Sequence, residues 1–411
     1  MLARILLFLV LLGSATVLQA EPLTFDAALA AAERDSPDLA AQNAGIAAAR
    51  AAARAAGALP DPRLAVGVDN LPVTGADRWS LERDFMTMRK VGLMQEFPNS
   101  ARRRANVDES DAMIAQAEAE RRVHVVWVRT SAAAAWINVW YAQQRLSLLA
   151  ELRGENELLA AQVQSQLLAN RGAATDAVLP GQEAADLADR LDEGRAELAK
   201  ARAGLRRLLG PAGDESLAGE PPQWNVDAAQ LRPHVHAHPE LAAFGPQIAG
   251  AQARIHAAEA AERPDWGVEL AYARRAAAYS DMVSLQFTIA LPLFRGSRQG
   301  PLIDASRKAL QRLESERSDM LREHAETLDT QLAELESMGN RLARATAQRL
   351  PLAQQKVQLA LAGYQSNRGD LATVLVARRE WLDARLAELQ LRNQRDALSA
   401  MLHFSYEETA P

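Results

Sequence analysis

Histidines alternate through PHVHAHPEL at His234, His236 and His238, and three methionines fall close together at Met86, Met88 and Met94. Imidazoles two residues apart in an extended loop can converge on a borderline divalent cation, and thioethers suit Cu(I) or Ag(I). Each pattern also has a plainer reading, which we prefer. His234 and His236 sit in a solvated linker, His238 marks a helix start, and the methionines are flexible filler along a wall. No resident metal is therefore expected, and the methionines stand only as weak candidates for a transit site. A third pattern is the triplet Asn-Arg-Gly, which occurs as Asn170-Arg171-Gly172 and again as Asn367-Arg368-Gly369, with Asp176 and Asp370 close by. Signs of catalysis are missing: there is no cysteine, no Gly-x-Ser-x-Gly, no phosphate-binding glycine loop and no His-Glu-x-x-His. Neither an enzyme nor a cofactor is expected.

The elements that must position these residues belong to a long, alanine-rich chain. Of 411 residues, 48% are apolar but only 5% aromatic. Such a composition favours long helices packed along narrow seams over a thick core. The formal net charge of −6 argues against a nucleic-acid partner. Residues 1–20 read as a secretory signal: Arg4 leads, Ile5 to Leu12 form the apolar run, and Val17-Leu18-Gln19-Ala20 supplies the cleavage site. With no cysteine, neither a disulfide nor a lipid-bearing thiol is expected. Residues 123–141 have the length of a membrane span, but His124, Arg129 and Asn138 interrupt them, so they read as the buried face of a helix.

The chain repeats itself. SPDLAAQNAGIAAARAAARAAGALPDPRLAVGV, from Ser36, aligns without a gap on HPELAAFGPQIAGAQARIHAAEAAERPDWGVEL, from His238, at a constant offset of 202. VGLMQEFPNSARRR then pairs with LQFTIALPLFRGSR, and the triplets pair third. The organisation expected is repeat 1 over 21–209, a linker over 210–236, repeat 2 over 237–405 and a tail over 406–411. Within each repeat a lead-in helix precedes a stretch of period-two alternation, which means two strands with one apolar and one polar face. These β-hairpins fall at about 62–98 and 264–292. Val283, Leu285, Phe287, Ile289 and Leu291 form the apolar face of the last strand, while Met86, Met88 and Met94 share the polar parity of Lys90 and Glu96. Long helices follow, over 99–171 and 296–368, and return helices over 173–209 and 370–405. Leucines at heptad-like spacing (Leu321, Leu328, Leu332, Leu335, Leu342) specify coiled-coil packing. Each triplet then ends one helix and starts its return, with the glycine as the residue able to adopt positive φ.

Four half-apolar strands cannot close a barrel, and lipid does not tolerate an open sheet edge. The expectation is that copies of the chain pool their hairpins in an outer membrane.

The chain resembles the TolC-like outer-membrane efflux proteins, on the duplicated hairpin-plus-long-helix plan, on SPDL and HPEL opening each copy, and on YQSNRGDLATVLVARREWLDARL. GALPDPRLAVGVDNLP and MTMRKVGLMQEFP look like the heavy-metal branch, the CzcC-like and CusC-like proteins. The resemblance implies a mainly α fold with a small β part, trimerising into a 12-stranded outer-membrane barrel and a 12-helix periplasmic tunnel. It implies an exit duct that works with a periplasmic adaptor and an RND-type inner-membrane pump, and heavy-metal cations as cargo. Alternatives within the family are a multidrug or type I secretion duct; outside it, a periplasmic coiled-coil adaptor or scaffold. It also assigns adaptor docking to the triplets Asn170-Arg171-Gly172 and Asn367-Arg368-Gly369. Asp176, Arg368 and Asp370 become candidates for an entrance gate. Twelve helices in a ring at ~9–10 Å spacing leave a lumen of roughly 25 Å, too wide to sieve ions.

Overall fold

The computed structural model describes residues 22–169 and 173–407; the expected signal and the triplet Asn170-Arg171-Gly172 lie outside them. The elements run α1 (Phe25–Asp35), α2 (Pro37–Ala56), β1 (Arg63–Asp69), β2 (Met88–Phe97), α3 (Ser100–Leu168), α4 (Leu179–Leu209), α5 (Ala228–His234), α6 (Pro239–Ala242), α7 (Phe244–Ala260), β3 (Trp266–Arg274), β4 (Met282–Ile289), α8 (Gln299–Arg344), α9 (Leu350–Gln365) and α10 (Leu371–Leu402). No helix among the described residues is long and apolar enough to cross a membrane.

By internal contacts the chain divides into two compact units. One comprises Ser36–Thr130, Trp224–Arg341 and Leu398–Pro411, the other Met1–Asp35, Ser131–Gln223 and Leu342–Ala397. Each unit takes segments from both sequence repeats. The repeats therefore describe the order of elements along the chain, not its compact bodies.

The first unit carries the sheet. Its helix starts follow the repeat: Ser36 Oγ accepts from Leu39 N–H at 3.2 Å to cap α2, and its counterpart His238 caps α6 through Nδ1, which accepts from Glu240 N–H at 3.4 Å. A core of Leu231, Val235, Leu241, Leu328, Leu402 and Tyr406 is flanked by Leu321, Leu332 and Leu335, the seam expected for α8. Tyr406 corrects the expected tail over 406–411. The chain continues past α10 through a π turn, His403–Glu407, and buries that ring.

The second unit is helical. Trp136 is fully buried on α3, edge-on to Phe25 at 5.5 Å, with its indole N–H donating to Leu23 O at 3.2 Å. This is the buried face expected of residues 123–141. Leu149, Leu152, Leu187, Leu191 and Leu382 join α3, α4 and α10 along one apolar seam. Glu388 is completely buried on α10 between Arg385, at 2.5 Å, and Arg392. Tyr141 donates to Asp396 at 2.5 Å, and burial together with that carboxylate raises the phenol's pKa.

Several helices differ from their expected spans. The lead-in helix of repeat 1 breaks at Ser36, because Pro37 starts a new helix with its own cap. The second long helix begins at Gln299 and is interrupted by a π turn over Ala345–Arg349, just before Pro351. Proline lacks an N–H and its ring crowds the carbonyl four residues back, which a wider turn relieves. The return helix of repeat 1 starts only at Leu179, with Pro180 in its first turn, after a short 3-10 turn over Ala174–Ala177.

Candidate functional site

Two places carry the functional geometry, and each lies within one unit. The first is the sheet. Its order is β1-β2-β3-β4, and every pair is antiparallel. Each hairpin pairs within itself, and β2 pairs with β3 to join them, so one chain yields one four-stranded sheet whose two outer edges have no strand partner among the described residues.

The register stacks like residues into rows. Leu64, Leu93, Leu270 and Leu285 lie side by side across all four strands, and the next row is Val66, Val91, Tyr272 and Val283. All eight of these residues are exposed, Val66 at 73% and Leu285 at 60%. Aromatics close one end of the face, where Phe97 and Trp266 are paired and stacked at 4.2 Å. At the other end the face turns charged with the paired Arg89 and Arg274, and Phe85 and Tyr279 approach to 6.5 Å beyond the strands. From Trp266 to Arg274 the band measures about 27 Å along the strand. Tilted by ~35–45°, it projects to roughly 19–22 Å along the membrane normal, a little short of the ~25 Å apolar band, with aromatic girdles, of a membrane barrel.

The opposite face is polar. Lys90 reaches Glu269 at 2.9 Å and Arg63 reaches Glu96 at 3.3 Å. Gly92 makes room for the first pair, since a Cβ there would lie 2.9 Å from Glu269 Oε1. Below the sheet, Asp265 clamps the repeats together. Its Oδ1 accepts from Asn99 N–H and Nδ2 at 2.7 and 2.9 Å, and its Oδ2 meets Arg102 at 3.1 Å. Asn99 Oδ1 in turn accepts from Arg102 N–H at 2.9 Å and caps α3.

The structure corrects two sheet residues. Leu291 lies beyond the end of β4, so the exposed apolar set within the strand is Val283, Leu285, Phe287 and Ile289. Met86 lies in the turn before β2, its N–H donating to Asp84 Oδ1 at 2.6 Å. Met88 and Met94 stand six residues apart on β2, about 20 Å at strand rise. The three thioethers are not brought together within one chain.

The second place is the turn between α9 and α10. Ser366, Asn367 and Arg368 close α9 as a Schellman motif: Arg368 N–H donates to Gly363 O at 2.9 Å and Asn367 N–H to Tyr364 O at 3.0 Å. The left-handed residue is Asn367, at φ 55°, and not Gly369 as the triplet implied. Gly369 is needed for close approach instead, because a Cβ there would sit 3.3 Å from the backbone carbon of Gly363. Asp370 accepts from Thr373 N–H at 2.7 Å and caps α10; bonds from the Thr373 side chain and backbone hold its carboxyl below the usual range. That local role differs from a free gate charge. Asp176 is buried rather than displayed, while Arg368 is exposed. Tyr364 donates to Gln166 at 2.9 Å, and burial, followed by the nearby Asp176, raises its pKa. Tyr364, Leu371, Val374 and Leu375 pack with Leu159 and Val163 of α3, which explains the Tyr…Gly…Leu spacing of this stretch.

Of the three alternating histidines, only His238 enters a cluster. It lies against His324, with ring centroids 4.1 Å apart, and His324 Nε2 meets Glu240 Oε2 at 2.9 Å. Burial pushes the His238 imidazole down to about 4. His324, 86 residues downstream, had no sequence signal.

This combination defines a fold of paired β-hairpins and long helices. Residues 235–405 match the model of the outer membrane efflux protein family. No curated protein sequence matches the chain. Solved structures share the fold over 93% of it. CusC is 19% identical, with a TM-score of 0.76 over 91% of its own chain. VceC from Vibrio cholerae is 18% identical, with a TM-score of 0.75 over 95% of its chain. The open-state MtrE channel of Neisseria gonorrhoeae is 16% identical, with a TM-score of 0.76 over 88% of its chain.

Proposed function

We propose that the chain is the outer-membrane exit duct of a tripartite efflux system, conducting passively as a homotrimer. One observation carries this reading: a four-stranded sheet with an exposed apolar face and two unpaired edges. Lipid can cover the face but not the edges, and three such sheets joined edge to edge make a closed barrel of twelve strands. The polar face, with Lys90–Glu269, then lines the lumen. The turn carrying Asn367, Arg368 and Gly369, with its counterpart at Asn170-Arg171-Gly172, is the docking surface for a periplasmic adaptor that couples the duct to an RND-type pump. Exposed Arg368 narrows the entrance; Asp176 is buried and Asp370 caps α10.

Heavy-metal cations of the copper/silver or cobalt/zinc/cadmium type are the proposed cargo. Support for this comes from GALPDPRLAVGVDNLP and MTMRKVGLMQEFP and is compatible with the CusC likeness. The fold does not choose among cargoes, since CusC, VceC and MtrE are about equally similar. Deleting the gene and exposing cells to a panel of metals and antibiotics tests this. Sensitivity confined to metals supports the proposed cargo, and sensitivity confined to antibiotics refutes it.

A further inference from the structure

We propose that His238, Glu240 and His324 form a resident site for a divalent transition cation of the Zn²⁺ type. One ligand atom from each lies within 4.8 Å of the other two. Two imidazoles and one carboxylate are a donor set that Zn²⁺ takes with a fourth position left to water. Around a tetrahedral ion with bonds of ~2.0–2.1 Å, donors stand roughly 3.3 Å apart. His324 Nε2 and Glu240 Oε2 are at 2.9 Å, so a few tenths of an ångström of opening admits the ion in place of their shared proton. His238 Nδ1 carries the lone pair, which a Glu240 backbone N–H meets only at 3.4 Å; the ion would take that long bond's place, with the ring hydrogen kept on Nε2. Tyr406, its ring 5.3 Å from that of His238, walls one side of the site, and exposed Glu240 leaves the other open to solvent.

The sequence repeat supplies an internal comparison. The first repeat has the same carboxylate–imidazole pair, Asp38 Oδ2 to His124 Nδ1 at 2.6 Å, between the start of its lead-in helix and its long helix. There the third position is Ser36, whose hydroxyl is taken up by the Leu39 N–H. Duplication thus left one pair that only links helices and one that His238 completes into a three-donor set. The ion would tie α6 to α8, and the proposal stands whatever cargo the duct carries.

Calorimetric titration of the purified full-length protein with Zn²⁺, after chelator treatment, tests this. One ion per chain is expected, with affinity falling at least about tenfold in His324→Ala and in His238→Ser, which installs the first repeat's residue. His124→Ala and His236→Ala should bind as the parent does. Oligomer mobility on native gels reports folding for each variant, and if His324→Ala fails that check, His238→Ser alone decides. Equal Zn²⁺ binding by the parent and His238→Ser, or no binding by the parent, overturns the proposal.

Discussion

Replacing Leu285 by arginine asks whether the apolar face meets lipid. Leu285 is 60% exposed, lies near the middle of β4 and pairs with Leu270 in the leucine row. Its side chain makes little of the protomer's core, so in water the change would be nearly neutral. In lipid, arginine near the midplane of a barrel's outer face costs ~2–4 kcal/mol. Three copies then oppose assembly by ~6–12 kcal/mol per trimer. Gln286→Arg is the control: it lies one residue along, on the polar face, opposite Glu269. Outer-membrane fractionation and trimer mobility on unboiled gels give the readout. Leu285→Arg should lose most assembled trimer while Gln286→Arg keeps it. Equal yields of the two would refute the lipid-facing assignment and favour a periplasmic scaffold.

Asn367→Ala should lower stability by about 1 kcal/mol in chemical denaturation, because a Cβ-bearing residue without a short polar side chain is strained at φ 55°, whereas Asn367→Gly should be neutral or slightly stabilising. Gly369→Leu should leave trimer in the membrane but abolish resistance, since its side chain must displace the turn packed on Gly363. Loss of trimer would make it a structural turn only, and unchanged resistance would place docking elsewhere. His238 contributes a pH dependence. Its folded pKa of about 4 lies below the ordinary 6.5, so the neutral form is the folded one. With chelator present, stability should fall as pH drops from about 6.5 to 4 and change no further through this group below that. Glu240, held below its ordinary 4.5 by the bond from His324, loses its contribution as pH falls below about 4.5. His238→Ser should flatten the upper window, and an unchanged melting profile would remove His238 as the cause.

Much of the fold was legible because it rests on short-range patterns. Period-two alternation located all four strands, and the offset of 202 matched Ser36 with His238, both of which cap helices. Heptad leucines located the seams. What escaped notice depends on backbone detail or long-range pairing. The left-handed residue was assigned to Gly369 by propensity, yet Asn also tolerates that conformation, and the hydrogen bonds to Gly363 and Tyr364 select Asn367. Pro351 sits inside a helical pattern that propensity alone would break, and a π turn absorbs it. Leucine rows and the Phe97–Trp266 stack appear only once β2 and β3 are paired across the two repeats. Leu291 continues the alternation in sequence, but the ladder ends at Ile289, where Ala290 N–H turns to Asp265 O at 2.8 Å.

The account stands most directly on the number of chains in the membrane-extracted particle, measured as native mass in detergent with the micelle subtracted. Three chains per particle, closing three four-stranded sheets into one barrel, is the predicted result. A stable monomer, its sheet edges unpaired, would contradict it.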